Sequence, residues 1–470
     1  MDINDVDDKT QMMSTDSPGS AEKVSRRSLL QTTAAGTLAG ITGLAGCQGG
    51  TGGSQSNVEP ISQDSLTIWH AMGGSNGETL QALADQFQSE TGISVNLVFQ
   101  DSYEGVLTKT LGALESGSVP DLAQIDSLFA QQVLNTDAVE PVEELLTDDF
   151  PADDFLSNVT SFFTLDGTLQ SMPFNNSNCI MYYNKSAFEA AGLDPESPPE
   201  TISEVRQYSE TLVDEGVTDF GITWPNHVWF VETWFSNDGQ FLVDAENGHD
   251  GSASTLTVDN DTARKLYEWW RGMAQDGLYS NPGIEAWGEA STTFLTENAA
   301  MLLTSTSSVT STRTQATENG FEVDTAFYPT VDGDRVGPVI GGASWFASAG
   351  LSDERRGQVG QFLEFMGSTE AQMKWHKGTG YYPIRESAIG RLESEGWFEQ
   401  NPMYRTAFDQ LTQAEQDPAT KRMLVGPARQ IQTTIQDTSV EIFDENISID
   451  QGISNMKSTA EEEFERYSSN

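Results

Sequence analysis

Cysteine is almost missing from this chain: Cys47 and Cys179 are the two it has in 470 residues. That excludes a disulfide scaffold, and with no Cys-x-x-Cys it also excludes the paired-cysteine zinc and redox motifs. Histidine is as scarce. His70, His227, His249 and His376 are scattered, and no His-Glu-x-x-His sets two of them on one helix face. A Gly-x-x-x-x-Gly-Lys-Ser/Thr phosphate loop does not occur, which removes the common nucleotide-hydrolysing signature. No metal and no cofactor is therefore expected.

Basic residues are the third shortage, 24 Lys+Arg against 71 Asp+Glu, for a formal charge of -47. A field of that sign repels nucleic acid and anionic membrane surfaces, so neither is an expected partner. At roughly molar salt the screening length falls to about 3 Å and the self-repulsion largely disappears, so the composition reads as adapted to high salt. A disordered acidic chain is excluded by what is present, since 23 Phe, 11 Tyr, 10 Trp and 37% hydrophobic residues can build a core. Pairs of carboxylates carry no catalytic information among so many. A two-carboxylate glycosidase is thus neither excluded nor favoured.

At the N-terminus, "SRRSLLQTTAAGTLAGITGLAGCQGG" begins at Ser25. Its apolar part is near the minimum for a bilayer span and is rich in Gly, Ala and Thr rather than Leu, Ile and Phe. The pair Arg26-Arg27 resembles a twin-arginine export signal, and Leu44-Ala45-Gly46-Cys47 resembles a lipobox whose cysteine is lipidated. A plain N-terminal anchor is the alternative. Either places the remaining chain outside the cytoplasmic membrane, touching it through the N-terminus. Residues 1–24 read as disordered, 25–47 as the signal and 48–63 as a Gly/Ser tether.

Beyond the tether, "SLTIWHAM" reads as a buried strand. "ETLQALADQFQSETG" reads as a helix with Leu80, Leu83 and Phe87 on one face and Gly92 at its end. "ISVNLVF", "VLTKTLGALESG" and "PDLAQI" continue the alternation, which predicts a parallel sheet with helices on its faces. A second unit starts at the apolar strand Cys179–Tyr183, followed by a helix opened by the capping box Thr201-x-x-Glu204. After Asp353 the chain reads as mostly helical.

"TIWHAMGGSNGETLQALADQFQSETGISV" and "SMPFNNSNCIMYYNKSAFEAAGLDPESPPET", followed in order by "GGAS", "WHKGTGYYPI" and "GWFEQNP", resemble the extracellular solute-binding proteins of ABC importers. The branch that binds sn-glycerol 3-phosphate is the most similar. The resemblance implies an α/β fold of two lobes around a ligand cleft, with no enzymatic activity and a membrane permease as partner of a monomeric receptor. It suggests a first lobe from 64–173 plus 320–343 and a second from 176–318 plus 347–465.

The same resemblance implies ligand contacts at Tyr103, Ser177, Ser307 or Ser308, Gly342 and Tyr381. Three of these also have a structural reading. Tyr103 suits a half-buried helix start, Ser177 a turn, and the paired serines a helix cap. Trp224 and Trp229, in "TWPNHVWF", are each a stacking platform or a core aromatic. Two positions depart from the family pattern. Ser127, beside Asp126, stands where an acid grips ligand hydroxyls, and Gln432, three residues after Arg429, stands where an arginine faces phosphate. Losing that arginine removes a charge-assisted pair worth about 1.5–3 kcal/mol. Glycerol 3-phosphate or a glycerophosphodiester remains the expected ligand of an importer receptor, and a neutral sugar or oligosaccharide is the alternative. An extracellular carbohydrate-active enzyme and an adhesive surface protein are the other classes these residues leave open.

Overall fold

The computed structural model describes residues 64–469 except 117, 137, 334, 415 and 416. The signal and tether readings, with Arg26, Arg27 and Cys47, lie outside the described residues. In chain order the strands are β1 (Leu66–His70), β2 (Val95–Phe99), β3 (Leu122–Asp126), β4 (Val139–Glu140), β5 (Thr164–Leu165), β6 (Thr168–Leu169) and β7 (Met172–Ser177). They continue as β8 (Cys179–Asn184), β9 (Phe220–Thr223), β10 (Tyr279–Ser280), β11 (Ala299–Ser305), β12 (Val323–Ala326) and β13 (Gly341–Ser348). Apart from the small β5–β6 hairpin they form two sheets. One has the order β2-β1-β3-β13-β4 with β7 also on β13, and the other the order β10-β9-β11-β8-β12.

Local signals in the sequence account for most elements. The helix Gly74–Thr91 buries Leu80, Leu83 and Phe87 and stops where Gly92 turns left-handed at φ 77°. The helix Ile202–Asp214 opens on the complete Thr201/Glu204 capping box. β7 and β8 are buried along their whole length, as expected of strands covered on both faces. A single residue, Asn178, separates them, so the chain passes from one sheet to the other in one step. Its Nδ2 donates to the Ala407 carbonyl at 2.9 Å, which pins the crossing.

Two placements differ from the sequence reading. The sheets are mixed rather than parallel, because β13 runs antiparallel to β3 and β8 antiparallel to β11. The lobe limits also shift. β12, inside the 320–343 segment, pairs with β8 in the second sheet. Helices Asp353–Met366 and Thr369–Thr379, inside 347–465, pack on the helix Gly74–Thr91 beside the first, with Phe87 and Phe362 edge to face at 5.2 Å. A four-residue strand carries no mark of its sheet; long-range pairing decides it. No helix among the described residues is long and apolar enough to cross a membrane.

Candidate functional site

A cavity of about 470 Å³ is lined by residues from elements of both sheets. From the first come the start of the helix Tyr103–Ser116, the end of β3, Ser177 at the end of β7, and Gly342. From the second come Trp229, Trp287 and the turn Thr306–Ser308 after β11. Its position beyond the strand ends is where ligands of open α/β sheets sit. Its volume falls in the range of roughly 300–1,000 Å³ typical of small-molecule sites.

A relay of side chains sets Tyr103. The Ala71 N–H donates to Gln124 Oε1 at 2.8 Å, Gln124 Nε2 to Asn175 Oδ1 at 2.7 Å, and Asn175 Nδ2 to the Tyr103 hydroxyl at 2.7 Å. Besides accepting from Asn175, the hydroxyl hydrogen-bonds the Tyr381 side chain. Burial, reinforced by Tyr381 and Asp126, pushes the phenol well above its usual range, so it stays protonated. Tyr381 stacks on Trp375 with ring centroids 5.6 Å apart, and Trp375 on Phe174 at 4.4 Å. The first-sheet core thereby aims one tyrosine at the cavity.

Opposite it, Trp229 packs against the backbone of Gly341, where an added Cβ would come within 2.4 Å of the indole. Trp287 lies 6.4 Å from Trp229, extending the aromatic wall. Trp224 belongs to the core: it is fully buried, stacked on Trp269 at 5.6 Å, and does not line the cavity. Gly342 sits at φ 90°, and a Cβ there would meet the Asn175 carbonyl at 1.9 Å. Strand pairing with β7 alone is enough to demand glycine at this position.

The two serines separate on geometry. Ser307 Oγ donates to Ser305 Oγ at 2.9 Å, whereas the Ser308 side chain makes no cap to the helix Val309–Asn319 and has no partner among the described residues. Both serines line the cavity.

Charge at the cleft is organised around two arginines. Arg422, which the sequence reading missed, is buried. Its Nε donates to Glu232 Oε2 at 3.0 Å, and its Nη1 to Asp126 Oδ1 at 2.8 Å and Ser127 Oγ at 2.9 Å. Burial raises the Asp126 and Glu232 carboxyls, and Arg422 opposes that rise. Burial also works against the guanidinium, but the two carboxylates hold it charged. Ser127 therefore reaches the site through Arg422, not as a cavity wall.

Arg429 lies outside the cavity lining and is half-exposed. It pairs with Glu104 and, at 3.0 Å, with Glu285. Gln432 lines the cavity and donates to Glu285 Oε1 at 2.9 Å. His227 beside it is lowered to about 3, by burial first and then by Arg422 and Arg429, so it is neutral. Glu104, Glu285, Trp287 and His227 were missed along with Arg422. Rarity was the available signal: a basic residue in so acidic a chain marks a position worth inspecting. No group of three or more metal-ligating side chains occurs among the described residues.

The family model for bacterial extracellular solute-binding proteins matches residues 82–406. The sn-glycerol-3-phosphate-binding periplasmic protein UgpB of Pectobacterium atrosepticum is 28% identical over 379 residues, spanning 79% of this chain and 85% of that protein. Among solved structures, UgpB from Mycobacterium tuberculosis in complex with glycerophosphocholine is similar at TM-score 0.72 and 21% identity. The GacH receptor of Streptomyces glaucescens, solved unliganded and with acarbose, is similar at TM-score 0.72 and 17% identity. In both cases 86% of this chain and 99% of the other is covered. The two sheets with a cleft between them are thus the two-lobed α/β architecture of that group, and the chain belongs to the bacterial extracellular solute-binding protein family.

Proposed function

We propose that the chain is the substrate-binding component of an ABC importer, closing its lobes on a small polyol- or sugar-type solute and presenting it to a membrane permease. The cavity is the observation that carries this reading. Tyrosines from one side and tryptophans from the other suit the apolar faces of such a solute, while the Ser308 and Tyr103 hydroxyls suit its hydroxylated edge. A ligand touching both walls favours closure through the contacts it gains there. The relatives point to glycerol 3-phosphate or a glycerophosphodiester, and the GacH likeness keeps a neutral oligosaccharide as the second reading. Within this proposal Tyr103, Asp126, Ser177, Trp229, Ser308, Gly342, Tyr381 and Gln432 meet the ligand, while Ser127 and Arg429 act from behind. Arg26 and Arg27 direct export, Cys47 carries the lipid that keeps the receptor at the outer face of the membrane, and the acidic surface suits concentrated salt.

The test is calorimetric titration of the full chain in about 1 M salt, where the screening length is about 3 Å. The probes are sn-glycerol 3-phosphate, glycerophosphocholine, glycerol and maltose, with the scattering radius followed in parallel. Saturable binding with a smaller radius and no product is the expected result. Turnover of any probe would instead favour an enzyme.

A further inference from the structure

The family resemblance places an arginine facing phosphate at Gln432, with Arg429 one turn earlier. The structure puts carboxylates around that arginine. Arg429 is paired with Glu104 from the opposite wall and with Glu285 from the loop after β10. Glu285 Oε1 takes the Arg429 Nη1 at 3.0 Å and the Gln432 amide at 2.9 Å, the set of donors an incoming anion would want. Its backbone is held at φ 54°, left-handed for a residue that is not glycine. The second arginine is committed as well, between Asp126 and Glu232. The cavity wall carries Glu104, Asp126 and Glu285 against Arg422 alone.

We propose that Glu285 is a specificity-determining residue that fills the anion subsite with a built-in carboxylate, so that the cleft selects neutral polyhydroxylated solutes over phosphate monoesters. This deepens the solute-binding reading and rests on it. A phosphate entering beside Gln432 would meet a carboxylate on the donors it needs, and two like charges at such a distance repel in a partly dry cleft. A neutral sugar meets no such conflict and uses the aromatic walls and hydroxyls.

The full chain and its Glu285→Gln and Glu104→Gln variants are titrated with sn-glycerol 3-phosphate and maltose, their folding being checked by thermal melts. Glu285→Gln is expected to strengthen glycerol 3-phosphate binding about tenfold or more, the scale of one charge-assisted hydrogen bond. Glu104→Gln should strengthen it less, and maltose binding should change little in either. Equal or weaker glycerol 3-phosphate binding by folded Glu285→Gln overturns the inference. If that variant does not fold, an unchanged or lowered affinity in Glu104→Gln overturns it instead. Failure of the underlying solute-binding reading is distinguishable, because then neither probe alters the scattering radius or the tryptophan fluorescence of any of the three chains.

Discussion

The cleft holds the same motif twice, an arginine between two carboxylates, in two surroundings. At the floor, Arg422 is 3% exposed and locks Asp126, at the end of β3, to Glu232 on the helix Val228–Asn237. At the rim, Arg429 is 42% exposed and ties Glu104 to Glu285. The chemistry is alike, but water decides what each does. The floor triad has lost its hydration and stands on its internal partners, so removing one member strands the others. The rim triad keeps much of its hydration, so its worth to stability is small and its charges are left to act on whatever enters the cleft.

Removing the floor cation is the largest test of that contrast. Arg422→Met leaves two buried carboxylates unpaired and is expected to cost about 3–5 kcal/mol, read as a lower denaturant midpoint. A loss no larger than that from the rim variant would break the comparison.

Acid sharpens it from another side, because buried charge is costly whatever its sign. His376, fully buried, is lowered to about 4 by burial, against an ordinary value of 6.5. Below pH 6.5 the unfolded chain takes up a proton that the folded one refuses. Stability from this group is thus present above 6.5 and lost as pH falls toward 4, on the order of 3 kcal/mol in all. His376→Gln should flatten this acid limb in melts run at constant molar salt. An unchanged limb would show that the ring is not protonated on unfolding.

The smallest effect belongs to the rim. Arg429→Ala should change stability by under about 1 kcal/mol, and less still as salt rises. A melting curve showing a loss equal to that of Arg422→Met would mean that the rim is as dry as the floor.

Most of the body was legible from local pattern. The helix from Glu78 onward, its glycine stop, the Thr201/Glu204 box and the buried strand at Cys179 were readable, because the forces that make them act within a turn or two of the chain, whereas the first turn, Gly74–Gly77, reads locally as a loop. The resemblance also reached much of the site, since Tyr103, Ser177, Ser307, Ser308, Gly342 and Tyr381 line one cavity. Arg429 and Ser127 were placed in its neighbourhood but not on its wall. Arg422 was not legible at all, because its partner Asp126 stands 296 positions away and nothing near either residue announces the pair.

By itself, then, the sequence determined the acidic character, the lack of metal-binding and nucleotide-hydrolysing signatures, the local elements and the family. These follow from composition and from interactions short along the chain. Tertiary structure alone decided which sheet β12 joins, which tryptophan faces the cleft and which sits in the core, and which of two serine hydroxyls is left unspent. It also decided that the arginines of the cleft are already held by carboxylates. Those outcomes depend on contacts between residues tens to hundreds of positions apart, and burial, which sets the energy of every charge involved, exists only once the lobes have packed.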